Sequence, residues 1–138
     1  MMPESLKHMD LVKLLEGQFN NLVPKEYQAL IYIDKPENTF KPPRTSLNFV
    51  PDCFYEHDKM LIIGEAKTIN DVDRKHSINQ LENYYLDAVN YNGDSILVLS
   101  VPWQAKNTMK NMMRRIKKKY EKNIKIIVVC ELGRSEEI

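Results

Sequence analysis

At 138 residues the chain has the length of one ordinary domain, so 1–138 reads as a single unit able to bury a core without disulfides or a structural metal. Hydrophobic residues make up 43% and charged residues 28%, the balance of a soluble globular protein, and a net charge of +1 excludes a molecule that attracts nucleic acid by total charge alone. No signal peptide is recognisable and no apolar run approaches the ~20 residues that span a bilayer, so the expectation is a cytoplasmic protein with no membrane partner. Cys53 and Cys130 fall in predicted strands and lack metal-ligand spacing, which predicts buried free thiols.

In chain order, Leu11, Val12, Leu15, Phe19 and Leu22 recur at helical spacing and predict a first helix, with Gly17 weakening its second half. "EYQALIYID", 26–34, alternates and then turns apolar, which predicts a first strand. Three prolines make "KPENTFKPPRTS", 35–46, a loop. "LNFVPDCFYE", 47–56, predicts a second strand whose Pro51 marks an edge or bulge. "HDK" is turn-like, and "KMLIIGEAKT", 59–68, predicts a third strand, hairpinned to the second. A second helix is expected from about Asp71 to Tyr91, opened by Asn70, Asp71 and Asp73 and packed through Ile78, Leu81, Tyr85 and Ala88. "SILVLSVP" is apolar throughout, as a strand covered on both faces is. A third helix spans about Gln104–Tyr120 with the stripe Ala105, Met109, Met112, Met113, Ile116 and Tyr120. "IKIIVVCEL" is the last predicted strand. The fold class is α/β in the order α-β-β-β-α-β-α-β, with antiparallel strands first and parallel neighbours added through helices.

The chemistry concentrates where the hairpin ends. Alternation along a strand puts Glu65 and Lys67 on one face. With a turn centred near Asp58, Asp52 approaches Glu65 from the partner strand. Two carboxylates brought together repel, and an oxygen-seeking divalent cation, Mg²⁺ or Mn²⁺, resolves that conflict. Gly64 removes bulk beside them, where a substrate backbone can approach. A neighbouring lysine can orient or deprotonate a water or neutralise developing charge, which is the chemistry of metal-assisted phosphodiester hydrolysis. Glu-x-Lys by itself is also an ordinary exposed pair at a strand end.

Pro51-Asp52 followed by Glu65-Ala66-Lys67 resembles the PD-(D/E)XK nuclease superfamily. Gln80-Leu81-Glu82-Asn83-Tyr84 then resembles the Gln-x-x-x-Tyr motif of its RecB-like branch, and a similar run occurs in the nuclease domains of type I restriction motor subunits. The resemblance covers roughly residues 1–101 and leaves the third helix and last strand as additions. It implies a restriction-endonuclease-like α-β-β-β-α-β core with a mixed central sheet flanked by helices. It also implies metal ligation by Asp52, Glu65 and the Ala66 carbonyl, water activation or positioning by Lys67, support of that lysine or phosphate contact by Gln80, and bracing by Tyr84. Members often add a ligand from the first helix. His8, at the centre of its apolar stripe, is the first choice, ahead of Glu4 and Glu16. His57 and His76 read as turn and surface residues.

The third helix carries Lys106, Lys110, Arg114, Arg115, Lys117, Lys118, Lys119 and Lys122 against one acid, Glu121. Such a face either contacts backbone phosphates or is simply solvated. Lys35, Lys41 and Arg44 add charge nearer the presumed site. The expected function is metal-dependent hydrolysis of DNA in repair, recombination, restriction or phage defence, by a homodimer or as part of a larger assembly. The alternatives are a Holliday-junction resolvase and a non-catalytic nucleic-acid-binding module on the same fold.

Overall fold

The computed structural model describes residues 3–133 and 135–138, with side chains from residue 8 onward. Helix α1 (Pro3–Leu22) is followed by a 3-10 turn, Lys25–Leu30, and strands β1 (Tyr32–Ile33), β2 (Cys53–His57) and β3 (Met60–Ala66). Helix α2 (Lys75–Asn90) leads to β4 (Asp94–Ser100). A second 3-10 turn, Trp103–Ala105, opens α3 (Lys106–Tyr120), and β5 (Lys125–Val129) and β6 (Ser135–Glu137) complete the chain. Among the described residues the strands form one six-stranded mixed sheet in the order β1-β2-β3-β4-β5-β6. Pairing is antiparallel through β1, β2 and β3, parallel from β3 to β4 to β5, and antiparallel at β6. The fold is therefore mixed α/β, with three-layer packing.

Alternation along the strands divides the core. Ile62, Ala66, Ile96, Val98, Ile127 and Val129 face α1, meeting Leu11, Val12, Leu15 and Phe19. Leu61, Ile63, Leu97, Leu99, Ile126 and Val128 face α2 and α3, meeting Leu81, Tyr85, Ala88 and the methionine stripe of Met109, Met112 and Met113. Strands buried on both sides read as unbroken apolar runs for this reason. Gly17 does not interrupt α1, because the helix is held by its buried stripe rather than by propensity. Cys53 and Cys130 are buried free thiols, as expected.

Several boundaries differ from the sequence reading. The first predicted strand is mostly the 3-10 turn Lys25–Leu30, with two residues of strand after it. Pro24 starts that turn, Tyr27 packs against the α1 side of the core, and Gln28 donates its side-chain amide to the Asn20 carbonyl at 2.9 Å and the Val23 carbonyl at 3.3 Å. The segment serves as a cap for α1, a role that alternating apolar residues do not reveal. β2 begins only at Cys53, since Pro51 supplies no N–H for pairing. Asn70, Asp71 and Asp73 do not start α2. The Asp71 and Val72 amides donate to the Thr68 carbonyl, each at 3.1 Å, in a separate turn pinned by buried Val72, and α2 starts at Lys75 after extended Arg74. The sequence reading has no counterpart of β6.

The space at Gly64 is not open to a substrate. A Cβ there would lie 2.7 Å from the ring of Phe19 on α1 and 3.2 Å from Cys53 Cβ, so the missing side chain lets α1 pack against the sheet.

Candidate active site

The β2–β3 hairpin turns through Asp58 and Lys59, both with positive φ (52° and 63°), as a two-residue turn of the I′ kind requires. Pairing runs from His57↔Met60 to Cys53↔Gly64, and the same register brings Asp52 beside Glu65 just past its end. The Ala66 amide donates to Asp52 Oδ2 at 2.8 Å, which ties the aspartate to the end of β3. Further along, the Lys67 amide donates to the Ser100 carbonyl at 3.0 Å, so the lysine remains anchored to the sheet.

Asp52, Glu65, Lys67 and Gln80 are buried polar side chains, and Tyr84 is fully buried. Lys67 Nζ lies 3.3 Å from Glu65 Oε2 and donates to Gln80 Oε1. Gln80 Nε2 donates to the Tyr84 hydroxyl at 3.1 Å. Gln80 and Tyr84, one turn apart on α2, thus hold the lysine from the face opposite α1. Burial and the nearby Asp52 charge push the Glu65 carboxyl up to about 8, while Lys67 and the Tyr84 hydroxyl oppose that rise. Burial also pushes the Tyr84 phenol up, with Glu65 adding to the shift. Among the described residues Glu65 Oε1 is buried without a hydrogen-bond partner, and such an atom is costly unless something else satisfies it.

His8 reaches the site but is not the buried mid-stripe residue that the helical wheel implies. Its side chain is 43% exposed, with Nε2 3.5 Å from Asp52 Oδ2. The hydrogen bond to Asp52 raises its pKa against the opposing effect of burial. Glu16 is directed elsewhere, its carboxylate held 2.7 Å from Lys35 Nζ. The Glu4 side chain lies outside the described residues. His57 stacks obliquely near Tyr27 and His76 sits edge-on to Phe49, so neither approaches Asp52 as a partner.

Two further residues of α2 escape the sequence reading. Asn83 and Asp87 latch the loop that leads into Asp52. Thr45 Oγ1 donates to Asn83 Oδ1 and Asn83 Nδ2 donates to Ser46 Oγ at 2.9 Å, while Asp87 accepts from the Ser46 hydroxyl at 2.6 Å and amide at 3.0 Å. Phe49, at the end of the same turn, packs edge-on against Tyr84. The signal is present as a polar stripe, Gln80, Asn83, Tyr84 and Asp87, recurring at helical spacing beside the apolar one.

Among the described residues no three His, Cys, Asp or Glu side chains converge as a ready-made metal cage. Mg²⁺ needs no such cage, since it is commonly held by one or two carboxylates with waters and substrate phosphate. A buried carboxylate pair with one orphaned oxygen fits an ion of that kind. The arrangement defines an α/β domain whose central hairpin buries two carboxylates and a lysine at one end of a mixed sheet. Compared with protein-family models, with curated proteins and with solved structures, the chain finds no match.

Proposed function

We propose that this protein is a metal-dependent deoxyribonuclease of the PD-(D/E)XK superfamily, RecB-like branch, on a restriction-endonuclease-like core. The observation that carries the reading is the joint burial of Asp52, Glu65 and Lys67 at the ends of adjacent strands, with Glu65 Oε1 unpartnered among the described residues. A solvated strand-end pair would leave these groups exposed. Asp52, Glu65, the Ala66 carbonyl and His8 would hold Mg²⁺ or Mn²⁺. When bound, the cation supplies charge to the phosphate oxygens and acidifies a water. Lys67 holds its ammonium between Glu65 and Gln80, placed to position the attacking water or neutralise charge developing on the phosphate. Gln80 fixes the direction of that ammonium, and Tyr84 fixes Gln80. His8 must give up its proton to act as a ligand, so its part falls away at acidic pH.

The test is cleavage of linear, circular, single-stranded and branched DNA with Mg²⁺ or Mn²⁺. Hydrolysis should require the cation, and Asp52→Ala, Glu65→Ala and Lys67→Ala should each lower turnover by about a hundredfold or more while the protein stays folded. Near-wild-type turnover by Lys67→Ala would remove this site from consideration.

A further inference from the structure

One turn of the loop that enters β2 is tied into the candidate site at two points. The turn is closed on itself: the Asn48 amide donates to the Thr45 carbonyl and the Thr45 amide to the Phe49 carbonyl, each at 2.8 Å, with Asn48 at φ 71°. Asparagine is among the few residues that take this left-handed conformation readily. The turn is thus a compact unit rather than slack loop.

Its side chains form a directional chain of hydrogen bonds onto α2. The Phe49 amide donates to Thr45 Oγ1 at 3.2 Å, and the Thr45 hydroxyl donates to Asn83. Asn83 donates to Ser46 Oγ, and the Ser46 hydroxyl and amide both donate to Asp87. Each hydroxyl gives one bond and accepts another. Loss of the Thr45 link therefore leaves the buried Asn83 amide short of a partner, which opposes docking of the whole turn.

Two stiff routes lead from the turn to the site. Along the chain, only Val50 and Pro51 separate Phe49 from Asp52. The Pro51 ring fixes its own φ and confines Val50 to extended backbone, so this connector has little freedom. Through space, the Phe49 ring meets the Tyr84 ring edge-on with centroids 6.3 Å apart; Tyr84 holds Gln80, and Gln80 holds Lys67. The sheet also anchors Asp52, through the Ala66 amide on its carboxylate and the Asp34 amide on its carbonyl, each at 2.8 Å. Releasing the turn should therefore loosen Asp52 rather than remove it from the site.

We infer that Thr45, Ser46, Asn83 and Asp87 are positioning residues for the metal site, and that docking of this turn on α2 and cation binding at Asp52 and Glu65 favour each other. This rests on the metal site of the nuclease reading and adds its regulation: freeing the turn lowers cation occupancy without touching a ligand. Coupling of this kind is reciprocal and typically amounts to a factor of about 5 to 150.

Thr45→Val keeps the shape of the side chain and removes its hydroxyl, whereas Thr45→Ser keeps the hydroxyl. Calorimetric titration with Mn²⁺ should show affinity weakened about fivefold or more in Thr45→Val and close to wild type in Thr45→Ser. Ser46→Ala, at an exposed position, should weaken it in the same direction and replaces Thr45→Val if that variant does not fold. Amide hydrogen exchange gives the converse measurement, because the Ser46 amide is bonded to Asp87 only while the turn is docked. In the wild type, saturating Mn²⁺ should slow exchange of a peptide spanning 43–49 by at least the factor that Thr45→Val costs in affinity. A fastening with no bearing on the site predicts otherwise: the melting temperature falls in Thr45→Val while Mn²⁺ affinity does not, and exchange at 43–49 is indifferent to Mn²⁺. Either of those last two results would overturn the proposal. Weakened Mn²⁺ binding by a protein that hydrolyses no DNA defeats only the nuclease reading. DNA hydrolysis with Mn²⁺ affinity unaltered in Thr45→Val defeats only the linkage, and a wild type that binds no Mn²⁺ defeats both.

Discussion

Glu65 is a buried carboxylate whose ionisation departs far from its behaviour in water. Free glutamate ionises near 4.5, whereas burial and Asp52 hold this one at about 8. Between those values the folded protein keeps a proton that the unfolded chain has lost. Metal-free stability is therefore full below about pH 4.5 and declines as pH rises through 8, by an amount on the order of a few kcal/mol. His8, also raised, acts in the same direction. Thermal melts from pH 4.5 to 8.5 should show the decline in wild type and a flatter profile in Glu65→Gln, with the His8 part remaining. Parallel profiles would mean that Glu65 is not buried in this way. A cation held by Asp52 and Glu65 would displace the same proton, so Mn²⁺ affinity should increase with pH across that window. Calorimetry on His8→Leu tests the ligand role: Mn²⁺ binding should weaken with little change in melting temperature, because the ring is half exposed.

At the scale of elements, α1 and β3 are fitted to each other through an absence. Gly64→Ala drives a methyl into a fully buried phenylalanine ring and the Cys53 side chain, and should destabilise by roughly 1–3 kcal/mol. Phe19→Leu in the same background should recover part of the loss, whereas a second mutation that only adds to the first would place the strain elsewhere. The hairpin, its turn and the strand that leads to Glu65 and Lys67 were legible in the sequence, because the apolar run Met60–Ile63 and the strand before it are separated by a turn-like "HDK". Gln80 and Tyr84 were legible through the resemblance to the Gln-x-x-x-Tyr motif; their four-residue spacing puts them on one line of a helix but alone reads as a solvated glutamine and a core-edge tyrosine. The capping turn Lys25–Leu30 was not, since its pattern is short and its partners, the α1 carbonyls, lie outside the segment. The Asn83–Asp87 latch escaped notice because each residue is unremarkable until the loop it holds is in place.

Across the whole molecule, the basic third helix changes meaning. Five of the eight cations on and just after α3 are engaged within the protein: Lys106 and Lys110 by Glu136, Lys119 by Glu82 at 2.8 Å, Lys117 by the Ile138 carbonyl at 2.8 Å, and Arg114 by the Asn111 side-chain oxygen at 3.2 Å. Both lysines beside Glu136 hold its carboxyl down to about 2. Arg114, Arg115 and Lys118 lie in the second half of α3, away from the end that begins next to Trp103. If these cations meet phosphate, their joint replacement by Ala should reduce the salt slope of DNA binding by about one for each phosphate no longer neutralised. Replacing Lys106 and Lys110 should leave that slope unchanged. An unaltered slope in the triple variant would assign the distal half to solvent as well.

Cys53 and Cys130 give this architecture a pair of internal clocks. Cys53 is the first residue of β2, adjacent to Asp52, and Cys130 follows β5; both are buried, and burial holds the Cys53 thiol well above its ordinary range. A thiol reagent reaches each only when its own strand end opens, so the modification rates of Cys130→Ala and Cys53→Ala time two different openings. Mn²⁺ bound at Asp52 and Glu65 should slow the Cys53 clock and leave the Cys130 clock nearly unchanged. Ligand occupancy at the carboxylates then becomes measurable as the lifetime of a closed hairpin end, with no substrate and no turnover.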